Sequence, residues 1–153
     1  MNILGIGPSL AIVGGGSAVI IFLLQRALGI AISLPSPWRE FFQALGIVIS
    51  AIGVYFWFSS VVLISRAFRS HRLETSGVYR LSRNPLYASF IVFLVPGIAF
   101  ICNNLLIFVV SLAMFVAFKL CIGKEEEFLE QKFGADFHQY AQKVAQLIPF
   151  VRV

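Results

Sequence analysis

Four apolar runs constrain this chain more than any other feature, covering residues 4–28, 41–64, 86–102 and 105–121. Crossing roughly 30 Å of hydrocarbon takes about 20 residues of helix, each advancing about 1.5 Å. None of the runs has the period-two alternation of a membrane barrel strand. Backbone polar groups in lipid must bond within their own segment. The expected fold class is therefore all-α, a polytopic membrane protein with about four transmembrane helices. Composition agrees: 59% of the residues are hydrophobic and 12% charged, with a mean hydropathy of +0.89, against roughly 25% charged in a soluble domain.

The first run lacks a basic start and stays apolar beyond a signal core, so it is expected to remain as a helix. Its Gly14, Gly15, Gly16, Ser17 and Ala18 offer close helix packing. Close packing is a better reading than a dinucleotide loop, since no strand precedes these glycines and no acid follows about 20 residues on. Ser33-Leu34-Pro35-Ser36-Pro37 is a turn, and the second run follows it. The third run contains Pro96-Gly97 and meets the fourth at Asn103-Asn104. Both are short, reaching roughly 25 Å, so thinning or a kink at Pro96 is expected.

Arg66, Arg69, Arg72, Arg80 and Arg83 stand against the single acid Glu74 in the segment after the second run, which places residues 66–85 on the cytoplasmic side. The hairpin of residues 86–121 returns the chain there, so residues 122–153 and both termini are expected to be cytoplasmic. Residues 1–65 then hold two helices of a single membrane domain. Within residues 124–148, Phe128, Leu129, Phe133, Phe137, Tyr140, Val144 and Leu147 recur three or four apart, the pattern of an amphipathic helix bent or split at Gly134.

The net charge of +5 does not point to nucleic acid, because the basic residues lie in turns and the tail, and the sixteen Phe are spread through the apolar runs. Cys102 and Cys121 lie about one crossing apart and are read as free thiols. His71 and His138 form no metal-ligand spacing, so no metal is expected. Lys119 is expected to snorkel.

The hairpin brings Arg80, Arg83, Asn84 and Tyr87 at its entrance beside Lys124, Glu125 and Glu126 at its exit. Cations, carboxylates and an aromatic ring at a membrane boundary suit a charged cofactor on one side and a lipid-like substrate on the other. The stretch Gly77-Val78-Tyr79-Arg80-Leu81-Ser82-Arg83-Asn84-Pro85-Leu86-Tyr87 resembles the first signature of the isoprenylcysteine carboxyl methyltransferase and phospholipid methyltransferase superfamily. The run Glu125-Glu126, Leu129, Phe133-Gly134, Phe137 and Tyr140 resembles its second. Three positions depart from the pattern: Asn84 stands in place of a usual His, Ser89 of a frequent Gly and Phe137 of a Tyr. Asn84 donates a hydrogen bond but does not titrate near neutral pH.

The resemblance implies methyl transfer from S-adenosyl-L-methionine to a membrane-soluble, lipid-like or amphipathic small molecule entering from the bilayer. The alternative is a non-catalytic scaffold that keeps the fold. The cofactor-binding residues implied are Tyr79, Asn84, Pro85, Tyr87, Glu125, Glu126 and Tyr140, with Glu126 favoured over Glu125. Arg80 and Arg83 are implied for substrate, and Arg83 and Glu125 for catalysis. A sulfonium is drawn to aromatic faces, amino and ribose groups to a carboxylate, and a carboxylate to Arg.

Overall fold

A computed structural model describes residues 5–70 and 72–149, without the side chains of residues 68–70. His71, Leu4 and the Arg69 side chain thus lie outside the described residues. Among the described residues the only regular secondary structure is helical. Helix α1 spans Gly7–Leu28, α2 Trp38–Ser70 and α3 Pro85–Ile101. Helix α4 covers Phe108–Phe133 and α5 Ala135–Lys143. A 3-10 turn, Gly77–Arg80, joins α2 to α3.

Three helical stretches, Gly7–Leu28, Trp38–Ala67 and Leu105–Phe133, are long and apolar enough to cross a membrane, and Pro85–Ile101 is shorter. Their outward side chains are apolar: Ile12 is 75% exposed, Phe58 63% and Leu120 80%. That surface is stable only against lipid, and the chain is an integral membrane protein.

Two helices run further than expected. The expected end of the second, at 64, moves to Ser70, because no Gly or Pro interrupts residues 65–70. The expected break between the fourth span and an amphipathic tail helix is absent. Helix α4 continues unbroken through Gly123 to Phe133, where the Gly134 backbone (φ 52°) turns the chain into α5 as the sequence predicts. Helix α5 stops at Lys143 rather than 148, and Val144 is extended (φ −116°, ψ 136°). Extension frees the carbonyls of Ala145 and Gln146 to accept bonds from the first motif.

Pro96 acts one turn earlier than a simple kink. Residues Ser89–Leu94 form a π turn, in which the Val95 N–H bonds the Phe90 carbonyl. In that register the Ile91 carbonyl faces position 96, whose proline has no N–H, and the Ser111 hydroxyl of α4 donates to it instead.

Glycines set the helix pairing. A Cβ on Gly14 would lie 2.9 Å from the Met114 sulfur, so α1 sits close on α4, whereas Gly15 and Gly16 face open space. A Cβ on Gly46 would lie 2.7 Å from the Gly97 carbonyl oxygen, so α2 sits close on α3. At one end the Asn103 side chain donates to the Leu34 carbonyl and accepts from its N–H, and Asn104 pairs reciprocally with Gln25. The other end gathers the start of α1, the end of α2, the first motif, the end of α4, and α5.

Candidate active site

At that second end the first motif folds tightly. The 3-10 turn buries Val78 and Tyr79. Ser82 is buried and its hydroxyl accepts the Asn84 N–H at 3.1 Å. Pro85 opens α3, where a missing N–H costs nothing. The C-terminal segment closes over the motif: Arg83 N–H donates to the Ala145 carbonyl at 2.8 Å, and Asn84 Nδ2 donates to the Gln146 carbonyl at 2.9 Å.

The two acids differ in their partners. Glu125 Oε2 accepts from the Tyr87 hydroxyl at 3.1 Å and from the Ile6 N–H at 3.3 Å. Glu126 Oε1 pairs with Arg83 Nη1 at 3.2 Å, and its Oε2 accepts from Gln146 Nε2 at 2.9 Å. Glu126 Oε1 is thus buried and held by the ion pair without a hydrogen bond, and its Oε2 is hydrogen-bonded, while Glu125 keeps Oε1. The Arg83 Nε atom is buried without a hydrogen-bond partner.

The Tyr140 hydroxyl donates to the Tyr79 carbonyl at 2.7 Å. Burial pushes both phenols well above their ordinary range, with Glu74 and Glu125 adding to the rise at Tyr79 and the Tyr79 phenol adding to it at Tyr140, against the lowering effect of Arg83. Both are neutral at physiological pH.

These groups surround a cavity of about 430 Å³, within the roughly 300–1,000 Å³ typical of small-molecule sites. Tyr79, Arg83, Asn84, Pro85, Tyr87, Glu125, Glu126 and Tyr140 all line it. Arg80 is exposed and does not. In a 3-10 turn residues three apart eclipse, so Arg80 follows the exposed Gly77 while Val78 and Tyr79 turn inward. Arg72 and Lys132 supply the lining cations instead.

Other lining residues were given no site role from sequence. Phe128 and Lys132 share a helix face with Glu125, which a period of 3.6 makes visible. Gly5 lines the cavity from the start of the chain, and Gln146 braces Glu126 from the other end; neither has a local signal. Lys119, expected to snorkel, donates to Gln146 Oε1 at 2.6 Å.

The donor set fits a zwitterionic, aromatic cofactor. It has an unpartnered Arg N–H, a carboxylate oxygen left over, and rings from Tyr79, Tyr87, Phe128, Phe133, Phe137 and Tyr140. A family model described as phospholipid methyltransferase matches residues 39–136. The chain belongs to this family. A "Probable protein-S-isoprenylcysteine O-methyltransferase" of Oryza sativa subsp. indica is 35% identical over 120 residues, 72% of this chain and 63% of that protein. "Protein-S-isoprenylcysteine O-methyltransferase A" of Arabidopsis thaliana is 30% identical over 115 residues, 69% of this chain and 58% of that protein. A solved structure of the eukaryotic intramembrane Ras methyltransferase, an isoprenylcysteine carboxyl methyltransferase, has a TM-score of 0.66 at 23% identity. It matches 99% of this chain and 55% of its own, so it speaks for the fold alone. The chain spans about 63% of the length of the rice relative.

These family members correct one expectation, that of a free lipid-like small molecule as partner. The curated relatives are named for an isoprenylated cysteine of a protein. The physical reason is that a mostly apolar cavity with a few charged side chains on its wall registers a lipid chain and a charged group. It carries no mark of the polypeptide beyond them.

Proposed function

We propose that this chain catalyses O-methylation, by S-adenosylmethionine, of the α-carboxylate of a protein-borne S-isoprenylcysteine. The observation that supports it most is the convergence of both motifs on one cavity at the end of the bundle, with Arg83 and the Glu125-Glu126 pair on its wall. When bound, the cofactor supplies a methyl group on a sulfonium, whose departure as a neutral thioether makes it a good leaving group.

In this reading Glu125, through Oε1, receives an ammonium or ribose hydroxyl. Arg83 receives a carboxylate, and the Tyr79, Tyr87 and Tyr140 rings attract the sulfonium. Asn84 and Pro85 shape the wall. Glu126, engaged by Arg83 and Gln146, orients Arg83, so the favoured cofactor carboxylate becomes Glu125. An α-carboxylate with a pKa of about 3.5 is already a nucleophile at neutral pH. Glu125 therefore binds rather than removes a proton. The protein's contribution is alignment and exclusion of water. Arg80 has no role inside the cavity. The charge of Arg66, Arg72, Arg80 and Arg83 supports a cytoplasmic site, with α3 as a fourth span of one membrane domain.

The test is calorimetric titration of the protein in lipid nanodiscs with S-adenosylhomocysteine, followed by methyl transfer to farnesylated peptides ending in cysteine. Binding is expected, as is labelling of the free-carboxylate peptide but not of its α-amide. No binding in either detergent or lipid refutes the enzyme reading. Equal labelling of the amide refutes the acceptor.

A further inference from the structure

Lys119 and Glu126 lie seven residues apart on α4, two turns or about 10 Å, too far to pair directly. Gln146 fills the gap. Its Oε1 accepts from Lys119 Nζ at 2.6 Å and its Nε2 donates to Glu126 Oε2 at 2.9 Å. An ammonium only donates and a carboxylate only accepts, so one orientation of the amide satisfies both. The backbone also holds Gln146 in place, since its carbonyl accepts from Asn84 Nδ2 at 2.9 Å. Glu126, fixed through Oε2, turns Oε1 to Arg83 Nη1 at 3.2 Å, and the buried Arg83 Nε is left without a partner beside the cavity.

We infer that Gln146 is a positioning residue, which clamps Glu126 so that the Arg83 guanidinium is aimed at a ligand carboxylate. Gln146 lies outside the residues 39–136 that the family model matches, so the family pattern does not assign it. The inference rests on the function proposed above. The carboxylate has two sources, the amino-acid end of the cofactor or the acceptor's own α-carboxylate, and the test separates them.

Gln146→Glu keeps the acceptor for Lys119 and removes the donor to Glu126. Gln146→Met removes both bonds without adding charge. Binding of S-adenosylhomocysteine is compared with that of methylthioadenosine, which lacks the amino-acid end, and the KM of a farnesylated cysteine peptide is measured alongside. A charge-assisted bond contributes about 1.5–3 kcal/mol, or roughly tenfold and more. If the cofactor supplies the carboxylate, both variants weaken S-adenosylhomocysteine at least about tenfold and methylthioadenosine less than about twofold. If the acceptor supplies it, its KM rises by that factor while S-adenosylhomocysteine affinity holds. Either pattern supports the inference.

Equal weakening of both nucleosides, no change in any of the three measurements, or loss of folding in both variants overturns it, leaving Gln146 structural or idle. A wild-type protein that binds neither nucleoside fails the functional reading itself, and the inference falls with it. A wild type that binds, with unaltered variants, fails the inference alone.

Discussion

The Ile91 carbonyl provides a sharp test of how the third helix is built. The π turn takes the Val95 N–H to the Phe90 carbonyl, and Pro96 has no N–H to offer, so Ser111 is the donor that satisfies Ile91. Ser111→Ala removes it and leaves a carbonyl unpaired between helices. A buried unsatisfied polar group costs about 1–3 kcal/mol, and interhelical bonds in membrane proteins measure about 0.6, up to about 1.7. We therefore expect a loss of about 1–2 kcal/mol. Pro96→Ala restores an N–H at position 96, within reach of the same carbonyl. In that background Ser111→Ala should cost less than about 0.5 kcal/mol, a coupling of the size seen between residues in contact. Pro96→Ala alone should be near neutral, because Ser111 already serves Ile91. The assay is reversible unfolding in mixed micelles for the two single variants and the double. Additive losses, or a neutral Ser111→Ala in the proline background, refute the reasoning.

Gly97→Val should cost about 1–3 kcal/mol by overpacking, since a Cβ there would lie 2.9 Å from the Gly46 carbonyl oxygen and crowd the Ser50 hydroxyl. Gly15→Val, with nothing within 4 Å, should stay within about 0.5 kcal/mol; unfolding in the same micelles checks both. Gly5→Ala would set a methyl 2.7 Å from Glu125 Oε2 on a backbone with φ +52°. It should weaken S-adenosylhomocysteine binding by titration, while Gly7→Ala, in open space, leaves binding unchanged. Tyr140→Phe loses its bond to the Tyr79 carbonyl and should cost about 1 kcal/mol. Burial raises the Tyr140 phenol in the folded state. Its contribution is therefore complete below the ordinary value near 10 and is lost as pH rises beyond it. Wild-type Tm should fall more steeply above pH 10 than that of Tyr140→Phe.

The helical membrane character and the meeting of the two polar segments are legible in the sequence, because hydropathy runs and motif spacing are local properties. A helical hairpin between the motifs makes Arg83 and Glu126 neighbours, and they pair. Helix ends are less legible. Arg66 and Lys124 mark where the apolar runs give way to charge, but charge does not end a helix and glycine at 123 does not break one. The inward or outward sense of Arg80 depends on a 3-10 turn that no residue type announces. Least visible are the bonds from Ile6 to Glu125, 119 residues away, and from Gln146 to Glu126. Neither end of such a bond leaves a pattern around it.

Those two bonds close the chain on itself. Ile6 and Gln146, near the two limits of the described residues, grip adjacent residues on one turn of α4. In topological terms the fold is almost a ring, joined at the carboxylate pair. A change around Ile6 or Gln146 would therefore be felt first at Glu125 or Glu126, whereas Asn103 on Leu34 and Asn104 on Gln25 clasp the opposite end independently.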